Sequence, residues 1–95
     1  MPETVTRDDR ARRFELTLPE GAAELVFRRH DDRLVLVHTG VPDDLAGRGI
    51  GGRLVTAAVD HAIAEGLTIV PRCPFARAWL RRHPDVAEAV AIDWS

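Results

Sequence analysis

Apolar and polar residues alternate along the first part of the chain and predict three β-strands. Residues 14–18 alternate strictly, residues 22–29 carry three consecutive apolar side chains, and residues 34–39 are mostly apolar. Because a strand with apolar residues on both faces is typical of the interior of a sheet, we place the third strand centrally. The polar turns at 19–21 and 30–33 are short, which predicts an antiparallel meander.

The spacing of apolar residues changes in the second half of the chain. Between residues 50 and 62 they recur three or four positions apart, as in an amphipathic helix, and Gly66 suits the position that ends it. A short apolar strand at 67–70 follows. A second helix is predicted at 75–83, where Phe75, Ala78, Trp79 and Arg82 recur at helical spacing. Pro84 disfavours its continuation.

The two ends of the chain are less regular. Residues 1–10 are polar, and we expect them to be loose. Residues 85–91 fit one more helical turn, whereas residues 89–94 fit a last short strand. The element order β-β-β-α-β-α predicts an α+β fold, α/β-like in character, with a mixed and mostly antiparallel sheet.

The length and the charge of the chain exclude several classes of protein. Its 95 residues make a single domain, 1–95, that is too short for a long substrate cleft. A formal net charge of −2 provides no general attraction to nucleic acid or to an anionic membrane. No apolar stretch is long enough to span a bilayer, and the charged N-terminus lacks the apolar core of a signal peptide. We therefore expect a cytoplasmic protein.

The residue types present restrict the possible chemistry. The chain contains no Lys, Asn, Gln or Tyr, which excludes a lysine Schiff base and a tyrosine general acid. The single cysteine, Cys73, cannot form an internal disulfide, in agreement with a reducing compartment. One cysteine and scattered histidines lack the spacing of zinc ligands, so we predict no metal site.

A glycine-rich segment, residues 47–52 (Gly-Arg-Gly-Ile-Gly-Gly), lies between the third strand and the first helix. Glycine lets the backbone turn tightly and approach a ligand closely. The first amides of a helix have no acceptors within the helix, and the helix dipole adds partial positive charge. The segment therefore predicts a phosphate-binding site.

Two common phosphate-binding loops do not fit this segment. A Walker A loop requires a lysine, and the chain has none. Gly47, Gly49 and Gly52 match a dinucleotide fingerprint formally, but residues 67–72 lack the acidic residue expected about 20 positions later. Too little chain follows to complete a doubly wound sheet.

Residues 41–54 resemble motif A of the GNAT acetyltransferase superfamily. Further segments are similar to a small single-domain subgroup, the YjdJ-like or NATD-type acetyltransferases, and they are residues 14–16, 38–42, 70–75 and 79–84. The resemblance implies a small GNAT fold in which the loop amides hold the pyrophosphate of acetyl-coenzyme A (acetyl-CoA). The cofactor-binding residues implied in this way, with the arginines adding charge, are Val41, Gly47, Arg48, Gly49, Ile50, Gly51, Gly52 and Arg53.

Three features of the chain matter for catalysis within this resemblance. The backbone N–H of Val41 is implied to point at the acetyl oxygen, as a one-donor oxyanion hole. Ala46 stands where superfamily loops usually carry Arg or Gln. Gly40 stands where relatives often carry Glu, and in many superfamily enzymes an acid on this strand is the general base.

Two side chains are the catalytic candidates. Cys73 lies directly before Pro74 and a predicted helix start, an environment that favours a thiolate. Its role is an acetyl-enzyme nucleophile, a proton donor to the coenzyme thiolate, or packing alone. His38, three residues before Val41, is the candidate base, and its alternative is a histidine satisfied within the sheet.

The resemblance implies an N-acetyltransferase that moves an acetyl group from acetyl-CoA to a primary amine of a small molecule or a protein. Two alternatives remain open, a non-catalytic acyl-CoA-binding module and a carrier or sensor acylated on Cys73. We expect a monomer or a homodimer, and neither nucleic acid nor membrane as a partner.

Overall fold

The structure is a computed structural model that describes residues 4–95, and a five-stranded mixed sheet is its framework. In chain order the elements are β1 (Thr6–Asp8), β2 (Arg13–Leu18), β3 (Gly21–His30), β4 (Arg33–Gly40), a 3-10 turn (Asp43–Leu45), α1 (Ile50–Glu65), β5 (Thr68–Pro71), α2 (Pro74–Arg82) and α3 (Pro84–Ala87). The predicted α+β class, with a mixed and mostly antiparallel sheet, is confirmed.

The strands follow the chain across the sheet in the order β1-β2-β3-β4-β5. Neighbours from β1 to β4 are antiparallel, which confirms the predicted meander, and β5 pairs with β4 in parallel after the crossover through α1. β4 is internal, as its apolar sequence predicts, but only one of its faces is fully covered. Leu34 and Leu36 are buried, whereas Val37 is 37% exposed, so the other face is partly open.

The core lies between the sheet and α1, which packs on β2 and β3. Phe14 of β2 and Leu25 of β3 are paired residues, and both are buried because strand alternation directs them to the same face. The buried residues of α1 are Ile50, Gly51, Gly52, Leu54, Val55, Ala58, Val59 and Ala62. Gly66 ends the helix in the left-handed conformation, with φ +68°, as predicted.

The N-terminal segment is more ordered than its polar sequence predicts. Residues 6–8 form β1, which pairs with residues 13–15 of β2, and residues 1–3 lie outside the described part of the chain. The Asp8 carboxylate accepts hydrogen bonds from the amides of Arg10 and Ala11, each at 3.0 Å, and so stabilises the turn between the two strands. Residues 6–8 of the segment that we expected to be loose are therefore paired in the sheet.

Both interpretations of the C-terminal residues are partly correct. α3 is the single helical turn, and Ile92 makes one isolated parallel bridge to Ile69 of β5. The Ile69 amide donates to the Ala91 carbonyl, and the Asp93 amide donates to the Ile69 carbonyl, each at 2.8 Å. The last residues therefore extend the sheet by one bridge rather than by a full strand.

A β-bulge interrupts the pairing of β3 with β4. Residues 26–27 of β3 are consecutive, yet their partners on β4 are His38 and Leu36. Val37 is therefore an extra residue, and an extra residue reverses the faces that the following side chains occupy. Thr39 pairs with a buried residue of β3 and lies on the core side, so His38 lies on the open side.

Candidate functional site

The glycine loop enters α1 through two left-handed residues. Gly47 has φ +81° and Gly49, the residue that caps the helix, has φ +72°. Only glycine adopts this conformation at little cost, which explains the residue type at both positions. The first helical hydrogen bond runs from the Arg53 amide to the Gly49 carbonyl at 3.1 Å, so the amides of residues 50–52 occupy the turn where a helix offers them no acceptor.

These amides border a cavity of about 410 Å³ at the edge of the core. Its walls come from the end of β4, the glycine loop, the first turn of α1 and one side of α2. The lining residues are Thr39, Val41, Leu45, Ala46, Gly47, Gly49, Ile50, Gly51, Gly52, Phe75 and Trp79. The structure therefore brings six of the eight predicted cofactor-binding residues together around one cavity.

Gly51 and Gly52 have a packing role that the sequence does not reveal. A Cβ on Gly51 would lie 2.5 Å from Cζ of Phe75, and a Cβ on Gly52 would lie 2.5 Å from Nε1 of Trp79. Both distances are too short for a side chain, so these glycines let α2 approach α1. Phe75 and Trp79 form one wall of the cavity.

Cys73 lies behind this cavity and contacts a residue that lines it. The cysteine is 3% exposed, and its Sγ lies 3.2 Å from Oγ1 of Thr39. Its amide donates to the Leu36 carbonyl at 2.8 Å, which fixes the start of α2 against β4. Sequence reasoning missed Thr39, because only the bulge in β4 places this hydroxyl on the core side.

His38 does not join Cys73. It is exposed on the open side of β4, where its Nε2 would lie 3.5 Å from a Cβ built on Gly40. Strand alternation from Leu34 and Leu36 would place residue 38 on the core side, and the bulge reverses this. The two catalytic candidates therefore lie on opposite sides of the sheet.

The two arginines of the loop have different surroundings. Arg48 lies outside the cavity lining, and its Nη2 donates to Oε2 of Glu20 at 3.0 Å. The pKa of Glu20 is lowered by a hydrogen bond from its own backbone amide and then by Arg48. Arg53 lines an adjoining cavity of about 510 Å³ that shares Gly49, Gly52 and Trp79 with the first.

A larger cavity, of about 600 Å³, lies elsewhere and contains none of the predicted site residues. Four of its charged side chains form ion pairs, since Arg7 contacts Asp9 and Arg29 contacts Glu65, and Arg7 also contacts His61. Arg12 and Arg28 complete its charged lining. Burial and then the Arg7 charge lower the pKa of His61, and its Nδ1 accepts a hydrogen bond from Arg7. The glycine-lined cavity differs from this one in that the first-turn amides of α1 and the predicted residues border it, which favours it as the site for a phosphate-bearing ligand.

Within residues 4–95, no group of three or more His, Cys, Asp or Glu side chains is arranged to hold a metal ion. No helix in the same range combines the length and the apolar character needed to cross a membrane.

The sequence that forms this sheet, loop and helices matches a known protein family. Residues 13–89, from the start of β2 past the end of α3, match the model of the GCN5-related N-acetyl-transferases. The chain belongs to the GCN5-related N-acetyltransferase (GNAT) family. This result confirms the resemblance drawn from the glycine loop, and it makes the chain a member of an acetyltransferase family.

Curated relatives of this GNAT protein include Protein NATD1 from several vertebrates. The proteins from Homo sapiens and Bos taurus are each 34% identical over 86 residues, which cover 87% of this chain and 76% of theirs. A solution structure from Staphylococcus aureus, described as GCN5-like, is 28% identical with a TM-score of 0.73. That comparison covers 96% of this chain and 90% of the other, so the whole described fold is shared.

Proposed function

We propose that this GNAT protein transfers an acetyl group from acetyl-CoA to a primary amine. One observation carries the proposal: a single cavity reaches from the first-turn amides of α1 to the end of β4, where Thr39 contacts Cys73. In acetyl-CoA an extended arm links the thioester to the pyrophosphate, so these two groups would occupy opposite ends of such a cavity. Acetyl-CoA, when bound, supplies the activated acyl group.

The anionic end of the ligand belongs at the glycine loop. The amides of residues 50–52 are available to oxygen acceptors, and the N-terminal end of the 16-residue α1 adds partial positive charge. Because Arg48 pairs with Glu20, the backbone amides carry this binding rather than the Arg48 side chain. Arg53 lines the adjoining cavity, and we propose that it adds a cationic side chain.

The acyl end belongs at the end of β4. Leu45, Ile50 and Phe75 give the cavity apolar walls that suit an uncharged arm. Val41 lines the same cavity, and its N–H is the candidate donor to the thioester carbonyl oxygen. Loss of one such donor typically raises the barrier by about 3 kcal/mol, and Pro42, which has no N–H, cannot replace it.

In this proposal Thr39 and Cys73 protonate the departing thiolate. The Thr39 hydroxyl lines the cavity and contacts the buried Sγ of Cys73, so a thiol proton can pass through the hydroxyl to the leaving sulfur. The 3% exposure of Cys73 favours this role over its acylation, because a nucleophile must reach the acyl carbon directly. The carrier or sensor alternative is correspondingly weaker.

Calorimetric titration with acetyl-CoA tests the proposed site. The wild-type protein is compared with Gly49→Glu and Gly49→Gln, which place side chains of equal size at the same left-handed residue but differ by one negative charge. We expect saturable binding by the wild type. Gly49→Glu should bind at least tenfold more weakly than Gly49→Gln, a difference of about 1.4 kcal/mol, because a carboxylate repels the pyrophosphate.

The matched pair separates charge from backbone strain. Both variants suffer the cost of a side chain at φ +72°, so any equal loss of affinity reports the strain alone. Equal affinities in the two variants, or a wild type that does not bind acetyl-CoA, contradict the assignment of the anion site.

A further inference from the structure

A second group of side chains gathers on the open side of the sheet, at the end of β4. Glu24 of β3 and Gly40 of β4 are directly paired residues. A Cβ built on Gly40 would lie 3.7 Å from Oε2 of Glu24 and 3.5 Å from Nε2 of His38. Because Gly40 has no side chain, a carboxylate and an imidazole from neighbouring positions occupy the space above it.

This group borders a small cavity of about 310 Å³, lined by Ala22, Glu24, Gly40, Val41 and Pro42. Glu24 is the one charged residue in that lining. Val41 also lines the cavity assigned to acetyl-CoA, so the two cavities meet at the residue whose N–H is the candidate oxyanion donor. A molecule in the small cavity therefore approaches the acyl carbon from the side opposite Cys73.

The Glu24 carboxylate is held in place by an arginine that leaves one oxygen available. Nη1 of Arg13 donates to Oε1 of Glu24 at 3.3 Å, whereas Oε2 is the oxygen near Gly40. Arg13 also lies 3.2 Å from Oε1 of Glu15, so its charge is shared between two acids. The carboxylate is thus oriented without being fully neutralised.

We propose that Glu24 binds the ammonium group of the acceptor amine in this small cavity and accepts the proton that the amine must lose. The proposal rests on the proposed function and names its acceptor side. A primary alkylammonium fits, because a carboxylate is the complement of a compact cation, and the lining offers no second charge.

In this proposal the amine loses its first proton, and the leaving sulfur gains one, on opposite sides of the sheet. Oε2 of Glu24 takes a proton from the ammonium, and the freed nitrogen lone pair forms the C–N bond of a tetrahedral adduct. Collapse of the adduct breaks the C–S bond, the leaving sulfur takes its proton from the Cys73 thiol through the Thr39 hydroxyl, and the second amine proton returns to this pair and restores the thiol. The Glu24 side chain is 37% exposed, so the proton that it accepts then passes to water on the open side of the sheet.

Steady-state kinetics with n-butylamine as the probe tests this assignment. At saturating acetyl-CoA, release of coenzyme A thiol is compared in wild type, Glu24→Gln and Glu24→Asp. We expect Glu24→Gln to lower kcat/KM for the amine by about 100-fold or more, as loss of a general base does. Glu24→Asp should recover part of the activity, and the affinity for acetyl-CoA should stay unchanged in both variants.

Glu15→Gln is the matched control. Glu15 is the paired neighbour of Glu24 on β2 and contacts the same arginine, but it lies outside the small cavity. Its substitution removes the same charge next to Arg13, and we expect kcat/KM within twofold of wild type. Full activity in Glu24→Gln, or an equal loss in Glu15→Gln, overturns the role of Glu24.

An NMR titration with n-butylammonium chloride, without acetyl-CoA, separates this proposal from the proposed function. We expect saturable shifts of the Gly40 and Val41 amides in wild type and their loss in Glu24→Gln. Binding without turnover overturns the acetyl transfer and the proton-accepting role together, while the ammonium site stands. A wild type that shows no response to the amine overturns the site itself.

Discussion

At the residue scale, the contact between Gly52 and Trp79 decides how closely two helices approach. The indole ring stacks on the His83 imidazole, with 3.8 Å between ring centroids, and Nδ1 of His83 lies 2.7 Å from the Trp79 carbonyl oxygen. The stacked imidazole therefore restricts movement of the indole ring. A methyl group at residue 52 would meet an obstacle that cannot simply rotate away.

We expect Gly52→Ala to destabilise the protein by about 1–3 kcal/mol, the usual cost of overpacking. Alanine favours a helix interior by about 1 kcal/mol over glycine, so a net loss reports the clash rather than helix propensity. Urea unfolding measures the difference. In the Trp79→Leu background the same substitution should cost less, and an unchanged cost in that background would show that the indole is not the obstacle.

At the element scale, the C-terminal segment is attached to the sheet by charged side chains as well as by its backbone. Asp93 forms an ion pair with Arg33 at the start of β4 and accepts hydrogen bonds from Ser95. The Ser95 hydroxyl and then the Arg33 guanidinium hold the pKa of Asp93 far below its usual range.

This shift predicts how stability depends on pH. A carboxyl group with a lowered folded-state pKa stabilises the protein above its ordinary value of about 3.9, and the contribution is lost as pH falls further. We therefore expect Asp93→Asn to be less stable than wild type at pH 7, with the difference shrinking between about pH 4 and pH 2. Urea midpoints at several pH values measure it, and a difference independent of pH would contradict the assignment.

The regular elements could be predicted from the sequence because each has a local signal. The alternation at 14–18, the helical period from residue 50 and the glycine at 66 are all confirmed. β1 has no such signal, since residues 6–8 are polar and become a strand only through their pairing with β2. The same holds for the one-bridge extension at Ile92, which depends on a distant partner.

The sequence predicts the backbone part of the site, the glycine loop, but not the positions of the side chains around it. A run of glycines marks the loop directly, and six of the predicted residues line the cavity. The positions of His38 and Thr39 depend on a bulge that only the pairing with β3 defines. Glu24 has no recognisable motif, because its relation to Gly40 exists only across two paired strands.

At the scale of the whole molecule, the proposed site predicts that ligand binding is coupled to folding. The glycine-lined cavity is built from β4, the loop, α1 and α2, so a ligand bound there would contact segments that come together only in the folded chain. A ligand that binds only the folded protein stabilises it by about 2.7 kcal/mol at a concentration of 100 Kd.

We therefore expect coenzyme A at 100 Kd to raise the melting temperature by roughly 10–20 °C, because each kcal/mol is worth about 4–8 °C in a domain of this size. Thermal unfolding followed by circular dichroism measures the shift. Gly49→Glu, compared at the same ligand concentration, should show a much smaller one. An unshifted wild type would mean that the cavity does not bind this ligand in the folded protein.

The extra residue in β4 has a consequence for how such a site can change. Leu36 and Thr39 are three residues apart, so strict alternation would turn His38 to the cavity and Thr39 to the open side, whereas the bulge at Val37 leaves Leu36 and Thr39 on the same side. The side on which each group lies thus depends on where the strand accommodates its extra residue rather than on the amino-acid types at 38 and 39. Deletion of Val37 would remove the bulge and leave both groups on their present sides, whereas a strand that kept Val37 but lost the bulge would exchange them.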